Sequence, residues 1–479
     1  MIFSSIDFLF FFVGVLFVLK VLETKAEISK RTFLLIASYY FYGYWNWRFL
    51  PLIFFMTGIN YFAGKKIHDS DIKQVQQRWL VVSVVASLWV LGVFKYYNFF
   101  IDSLHTIFPL SRFPLRTLDI ILPLGVSFFT FKAMSYTIDI YRKQIQPCSF
   151  LDFALFIVFF PQLLSGPIAR ASEFLPQLKN RIVITRQNLS DGSRQFVIGF
   201  FKKSLLADSL AIFVNEVFNN IALFDGWTIA LAVIAYSIQI YCDFSGYSDM
   251  AIGAGRVLGF ELPLNFNHPY KSRNVSEFWR RWHISLSSWF RDYLYIPLGG
   301  SRKGEVRAYI NLFSTMTLCG LWHGASWNFV IWGMLHGMAL LVHRVYKKVA
   351  GKEKNHENQD PFTQPFSFIK YLQEFSSILV TYIAVCIGWI FFRAPDLESV
   401  VMVVNRIISG AEGIRWIHVS FYLIAPWFFI WHMIPNDEVV KQRLIGFDSY
   451  GRLTLFIAMV MMIFLFSPIG SSPFIYFQF

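Results

Sequence analysis

The sequence predicts an all-α, polytopic membrane protein with about eleven to thirteen helices that cross a bilayer or dip into it. Of its 479 residues, 55% are hydrophobic and only 15% charged, against roughly 25% charged in an ordinary soluble domain. The apolar residues, 55 phenylalanines among them, gather into runs that recur along the whole chain. Such a density of rings suits lipid-facing helices and the aromatic belts at a membrane–water boundary.

The apolar runs fall at 6–22, 32–45, 50–63, 80–94, 118–138, 150–168, 196–218 and 227–242. Others follow at 309–322, 327–342, 376–392, 419–433 and 453–466. The first, in MIFSSIDFLFFFVGVLFVLK, lacks a basic flank and a small-residue cleavage site, so it is expected to stay as a membrane helix. Several others fall short of the roughly twenty residues of a simple span and are expected to be tilted, broken or re-entrant. Polar inserts at 142–147, 170–194 and 351–365 are too short for a soluble domain and read as loops or surface helices. The expectation is a single membrane domain over 1–479, with a catalytic core at 228–345 and peripheral helices at 1–227 and 346–479. No repeat of fixed period and no inverted pair of halves appears, which counts against a transporter.

The net charge of +13 lies in loops between apolar runs, where topology explains it. No polar stretch is long enough to form a nucleic-acid-binding domain, so no nucleic-acid partner is expected. Cys148, Cys242, Cys319 and Cys386 have no C-x-x-C spacing; they read as packing residues, and no metal site is expected. For Cys319 an acyl-carrying nucleophile is the sharper reading and inert helix packing the plainer one.

Segment 271–307 carries Lys271, Arg273, Arg280, Arg281, Arg291, Arg302, Lys303 and Arg307 against Glu277, Asp292 and Glu305. Segment 344–354 carries Arg344, Lys347, Lys348, Lys352 and Lys354. These two basic stretches flank the runs at 309–322 and 327–342, so both ends of that hairpin are expected on the cytoplasmic side. LWHGASWN is then its deep tip. Arms of roughly fourteen to sixteen helical residues reach about 21 to 24 Å, short of a hydrocarbon core of about 30 Å. A non-helical turn at that depth, with Gly320, Gly324 and Asn328 around it, is tolerated only in protein or beside a wet cavity.

His323, beside Trp322 in that turn, is the strongest candidate for chemistry. An ionisable residue at membrane depth is costly and marks function, and a neutral imidazole can take a proton from a hydroxyl and return it. A histidine hydrogen-bonded between helices is the competing reading. His336 in MLHGM is expected to serve helix packing. His283 lies in FWRRWHISLSSWFRDYLYIPLGG, which reads as an interfacial helix with Trp279, Trp282, Trp289 and Phe290 on one face. Arg280, Arg281 and Arg291 on its other face suit the phosphates of a nucleotide-bearing thioester, and equally suit lipid headgroups. Asp243 and Asp249, after the run at 227–242, need partners at that depth; Asp243 is expected to orient an imidazole or to join an ion pair. Gly253, Gly255 and Gly259 lack the spacing and the βαβ setting of a dinucleotide fingerprint. One His-x4-Asp pattern, His432 to Asp437, is interrupted by Pro435 and is set aside. No Walker loop, G-x-S-x-G or HExxH is present, so ATP hydrolysis, serine hydrolysis and zinc proteolysis have no support.

The motifs RTFLLIASYYFYGYW, LPLGVSFFTFKAMSYTIDIYR, FFPQLLSGPIAR, YCDFSGYSDMAIG, NFNHPYKSRNVSEFWRRWHISLSSWFRDYLYIPLGGSR and GLWHGASWNFVIWGMLHG resemble the membrane-bound O-acyltransferases. Within that family they are most similar to the branch that acetylates alginate, peptidoglycan and cellulose. The resemblance implies helices around a central tunnel, His323 as the family histidine and His283 as a second one, with Asp243, Trp322 and Asn328 in support. It also implies acetyl transfer from cytoplasmic acetyl-coenzyme A, with no bound cofactor, to a hydroxyl at the far side. A periplasmic or extracellular partner of the SGNH-hydrolase kind would complete transfer to polysaccharide. The expected location is the bacterial cytoplasmic membrane. Peptidoglycan acetylation and teichoic-acid D-alanylation are alternatives, as is a non-catalytic exporter or scaffold.

Overall fold

A computed structural model describes residues 1–108, 115–164, 166–351, 368–433, 449–468 and 474–475. Among them all regular structure is helical, apart from an isolated bridge between Phe224 and Ile414. The contacts divide the chain into two compact units, residues 1–203 with 244–264 and residues 204–243 with 265–475. The expected insert at 351–365 lies outside the described residues from position 352 on, as does Asp437.

The first unit holds α1 (Ile6–Val21), α2 (Glu27–Asn46), α3 (Leu50–His68), α4 (Lys73–Leu91), α5 (Tyr97–Ile107), α6 (Val126–Tyr141), α7 (Phe150–Val158) and α8 (Arg186–Phe200). Ser5 starts α1, its hydroxyl accepting from the Phe8 amide at 3.2 Å. Phe10 and Phe17 on that helix are 73% and 69% exposed; large apolar side chains facing outward along a helix mark a lipid-facing surface. Helices α3, α4 and α6 meet at a buried polar knot. Ser83 Oγ donates to Asn60 Oδ1 at 2.6 Å and lies 2.7 Å from Thr137 Oγ1, the kind of bond that ties helices together without water.

Two expected apolar runs are interrupted, each by proline. The run at 118–138 becomes helical only at Val126, after Pro123 and after Gly125, whose φ is +72°. That at 150–168 breaks after Val158, and a single turn, Phe160–Leu163, follows. Pro161 has no amide hydrogen to offer the carbonyl four residues back, that of Ile157. The buried Lys132 ammonium takes over, 2.7 Å from Ile157 O and 3.1 Å from Phe156 O.

The second unit contains α9 (Asp208–Asn219), the first part of α10 (Gly226–Val257), α11 (Val275–Arg281), α12 (Ile284–Phe290), α13 (Glu305–His323), α14 (Trp327–Val349), α15 (Phe368–Arg393), α16 (Leu397–Ile408), α17 (Val419–Met433) and α18 (Ser449–Phe466). Helix α10 outruns its apolar stretch: at 32 residues it is about 48 Å long. Asp243 and Asp249 therefore sit inside a helix, not after one. In the first unit, the later part of α10 packs on α8 through paired glycines. A Cβ on Gly253 would fall 2.6 Å from Gly192 O, and one on Gly246 2.6 Å from Gly199 O. Gly253 thus serves helix contact. Asp249 is paired there with Lys202 at 2.7 Å.

Four described stretches are long and apolar enough to cross a membrane: Lys73–Thr106, Gly226–Val257, Trp327–Val349 and Leu372–Arg393. The other helices are shorter, less apolar or more charged. Composition, helicity and the outward phenylalanines together make this a multi-pass membrane protein.

Candidate active site

The α13–α14 hairpin carries His323. It is the last residue of α13, and Gly324, Ala325 and Ser326 connect it to α14. Small residues let the arms touch: a Cβ on Gly320 or Gly333 would run into backbone of the opposite arm. At the open end Lys348 Nζ lies 2.8 Å from both Glu305 carboxylate oxygens. The arms are longer than expected, 19 and 23 residues, or about 28 and 34 Å. Those lengths are comparable to a bilayer core of about 30 Å.

His283 comes from a different kind of structure. The stretch expected to be one interfacial helix is two seven-residue helices, α11 and α12, separated by extended Trp282 and by His283 at φ 41°, ψ 56°. A left-handed residue cannot continue a right-handed helix, so the chain turns there. Trp279, Trp282, Trp289 and Phe290 are buried; they face protein, which corrects the interfacial expectation.

The two histidines meet. Their ring centres are 6.3 Å apart, with Trp322 at 5.1 Å from His323 and 6.0 Å from His283. Trp332 and Phe392 close on His323 at 5.0 and 5.4 Å. His283 is 0% and His323 2% exposed. At this spacing even facing nitrogens stand roughly 4 Å apart, beyond a direct hydrogen bond. Rings at that separation leave room for one oxygen between them. That is a geometry for moving a proton on and off a hydroxyl in a site walled from water.

The supporting residues are spread more widely. Trp322 packs against both histidines. Asn328 Nδ2 donates to Ala394 O at 2.8 Å, tying the start of α14 to the residue after α15. Asp243 is buried and accepts from the Ile475 amide at 2.8 Å. Arg280 is exposed. Arg281 bonds Glu277 at 2.9 Å and Asn267 O at 3.2 Å, and Arg291 bonds Asp292 at 2.6 and 3.0 Å. Burial pushes the Glu277 carboxyl up, but hydrogen bonds from the Arg273 amide and the Arg281 guanidinium, and the charges of both, hold it below its ordinary value. Cys319 is buried on α13.

Sequence reasoning missed Trp332 and Phe392, because rings in apolar helices look alike whether they face lipid or a site. The packing role expected of His336 fits its surroundings: it is 4% exposed and lies 4.8 Å from Trp332 and 5.1 Å from Trp279.

The sequence model of MBOAT, the membrane-bound O-acyltransferase family, matches residues 33–365, a stretch containing both histidines. The peptidoglycan O-acetyltransferase of Helicobacter pylori is 38% identical over 426 residues, 83% of this chain and 77% of that one. The probable alginate O-acetylase AlgI of Pseudomonas putida is 37% identical over 513 residues, 100% of both chains. The teichoic acid D-alanyltransferase of Streptococcus thermophilus is 28% identical over 50% of this chain and 62% of its own. A family match over most of the chain, on a helical membrane protein with two buried histidines facing each other, makes this an acyltransferase of the membrane-bound O-acyltransferase family.

Proposed function

We propose that the protein takes acetyl groups from cytoplasmic acetyl-coenzyme A and passes them across the membrane for O-acetylation of a cell-surface or exopolysaccharide such as alginate. The observation that carries this reading is the meeting of His323 and His283 in a buried aromatic box. His323 acts as general base on the acceptor hydroxyl, which attacks the thioester carbonyl; the thiolate leaves and the proton held on the imidazole follows it. His283 holds the same oxygen from the other side, and Trp322 keeps both rings in place. Asp243 and Asn328 support the surrounding helices. Arg280, Arg281 and Arg291 lie on the basic segment that receives the donor's phosphates.

The same reading places the chain in the bacterial cytoplasmic membrane, with eleven to thirteen membrane or re-entrant helices and a central tunnel. An SGNH-type partner beyond the membrane hands the acetyl group to the polysaccharide. Similarity to a peptidoglycan O-acetyltransferase over 83% of the chain keeps peptidoglycan as the second acceptor. The test uses protein in liposomes with acetyl-coenzyme A labelled on its acetyl group, with alginate or peptidoglycan and a candidate partner. Label should reach acceptor with the wild type and not with His323→Ala. Equal transfer by both would overturn the reading in favour of an exporter or scaffold, and the acceptor labelled decides between the two polysaccharides.

A further inference from the structure

His283 stands at the N-cap of α12, a position normally filled by Ser, Thr, Asp or Asn because the side chain accepts from the first free amides. Its side chain makes no cap hydrogen bond; the ring packs against Trp322 and His323 instead. The amides left behind are satisfied from another segment. Asn265 O accepts from the Ile284 amide at 2.9 Å. Asn265 Oδ1 accepts from the Ser285 amide at 3.3 Å and from the Ser285 hydroxyl at 2.6 Å. Two residues further along, the Asn267 amide donates to Arg281 O at 3.0 Å and Asn267 O accepts from the Arg281 guanidinium at 3.2 Å. Asn265 is 0% exposed, so its own bonds form away from competing water, while the Arg281–Asn267 bond is exposed. The stretch 265–267 thus braces both sides of the left-handed turn, and its tightest contact falls one residue beyond Ile284.

We propose that Asn265 is a positioning residue for His283: it caps α12 from outside the helix, which releases the histidine side chain from capping and holds it in the left-handed conformation that aims its ring at His323. This rests on the reading of His283 as part of the acetyl-transfer site. Loss of the Asn265 side chain lets the turn relax toward ordinary backbone angles, and the ring then leaves its place opposite His323.

The test is a double-mutant cycle on label transfer from acetyl-coenzyme A in liposomes, with Asn265→Ala, His283→Ala and the pair, each checked for its melting temperature. Asn265→Ala should lower turnover by about 10- to 100-fold, as misplacement of a reacting group does, with little change in KM. In the His283→Ala background it should cost nothing further. Asn265→Asp keeps an acceptor for both Ser285 bonds and should restore most of the rate. If Asn265→Ala does not fold, Ser285→Ala, which removes the hydroxyl donor alone, replaces it in the same cycle. Effects that multiply in the double variant, or a wild-type rate in Asn265→Ala, overturn the proposal. His283→Ala by itself tests the underlying reading: full activity there removes His283 from the chemistry, and a loss confined to the Asn265 variant then shows a purely structural residue.

Discussion

His323 and His283 face each other across 6.3 Å, yet the chain holds them by opposite means. His323 ends a regular helix of 19 residues whose partner arm is pressed against it through Gly320 and Gly333. Its position is a matter of packing. His283 sits in a left-handed break between two seven-residue helices, braced by hydrogen bonds from 265–267. Its position is a matter of polar bonding. A packed histidine is moved only by disturbing volume, whereas a bonded one is moved by deleting a single acceptor. Substitutions should therefore separate the two by kind as well as by size.

The largest effect belongs to the packed side. His323→Ala should reduce acetyl transfer by about 10²- to 10⁴-fold, the range of a lost general base, while the protein still folds and elutes as wild type. Activity near wild type would remove His323 from the chemistry. Gly320→Val tests the packing itself. Its new carbons would meet the Phe329 carbonyl and Gly333, so overpacking should cost about 1 to 3 kcal/mol. The measure is a lower melting temperature in detergent, with activity falling alongside it. An unchanged melting temperature would mean that the arms are not held by close contact.

Both histidines were legible in the sequence, and so was the packing that holds His323, but the polar brace that holds His283 was not. The hairpin, His323 at its tip and the glycines around it follow from apolar runs, basic flanks and an ionisable residue at depth. Only the arm lengths came out short, because Glu305 and Arg307 before one run and the basic end of the other continue the helices. The segment around His283 misled for a local reason. Aromatic and basic residues alternate there as in an amphipathic helix, and no glycine or proline announces the left-handed turn at a histidine. The partner that stabilises the turn, Asn265, lies well upstream and carries no sign of its role. The sequence puts Asp243 after a helix for a related reason: its charge looks like an end, although α10 runs on to Val257.

The bonded side should show its nature through His283→Asn. Asparagine tolerates the left-handed region better than most residues and is also a strong N-cap. The variant should fold as stably as wild type, or slightly better, while transferring acetyl groups more slowly. His283→Val should lose activity and stability together, since a β-branched residue is strained at positive φ. The comparison needs both melting temperatures and both rates. Equal melting temperatures for Asn and Val would mean that the left-handed turn is not maintained in the folded protein.

The smallest expected effect is a difference in acid sensitivity, and it belongs to the bonded side alone. Glu277 Oε2 accepts from the Arg273 amide at 3.0 Å, and Oε1 from Arg281 at 2.9 and 3.1 Å. Burial raises the carboxyl, but these donors and charges outweigh it and leave the group below its ordinary value of 4.5. A carboxylate depressed in the folded state stabilises the protein fully above the unfolded value, and that contribution disappears as pH falls through the folded one. The window therefore opens just below pH 4.5 and extends downward. Within it, protonation weakens the bonds inside α11 from Glu277 to Arg281, whose carbonyl and guanidinium hold Asn267. Arg273 is 57% exposed, so solvent screens part of the attraction and keeps the effect modest. Melting temperature followed from pH 7 downward should fall more steeply below 4.5 in the wild type than in Glu277→Gln, with the two curves parallel above that value. Parallel curves through the whole range would show that the brace on His283 draws nothing from this carboxylate.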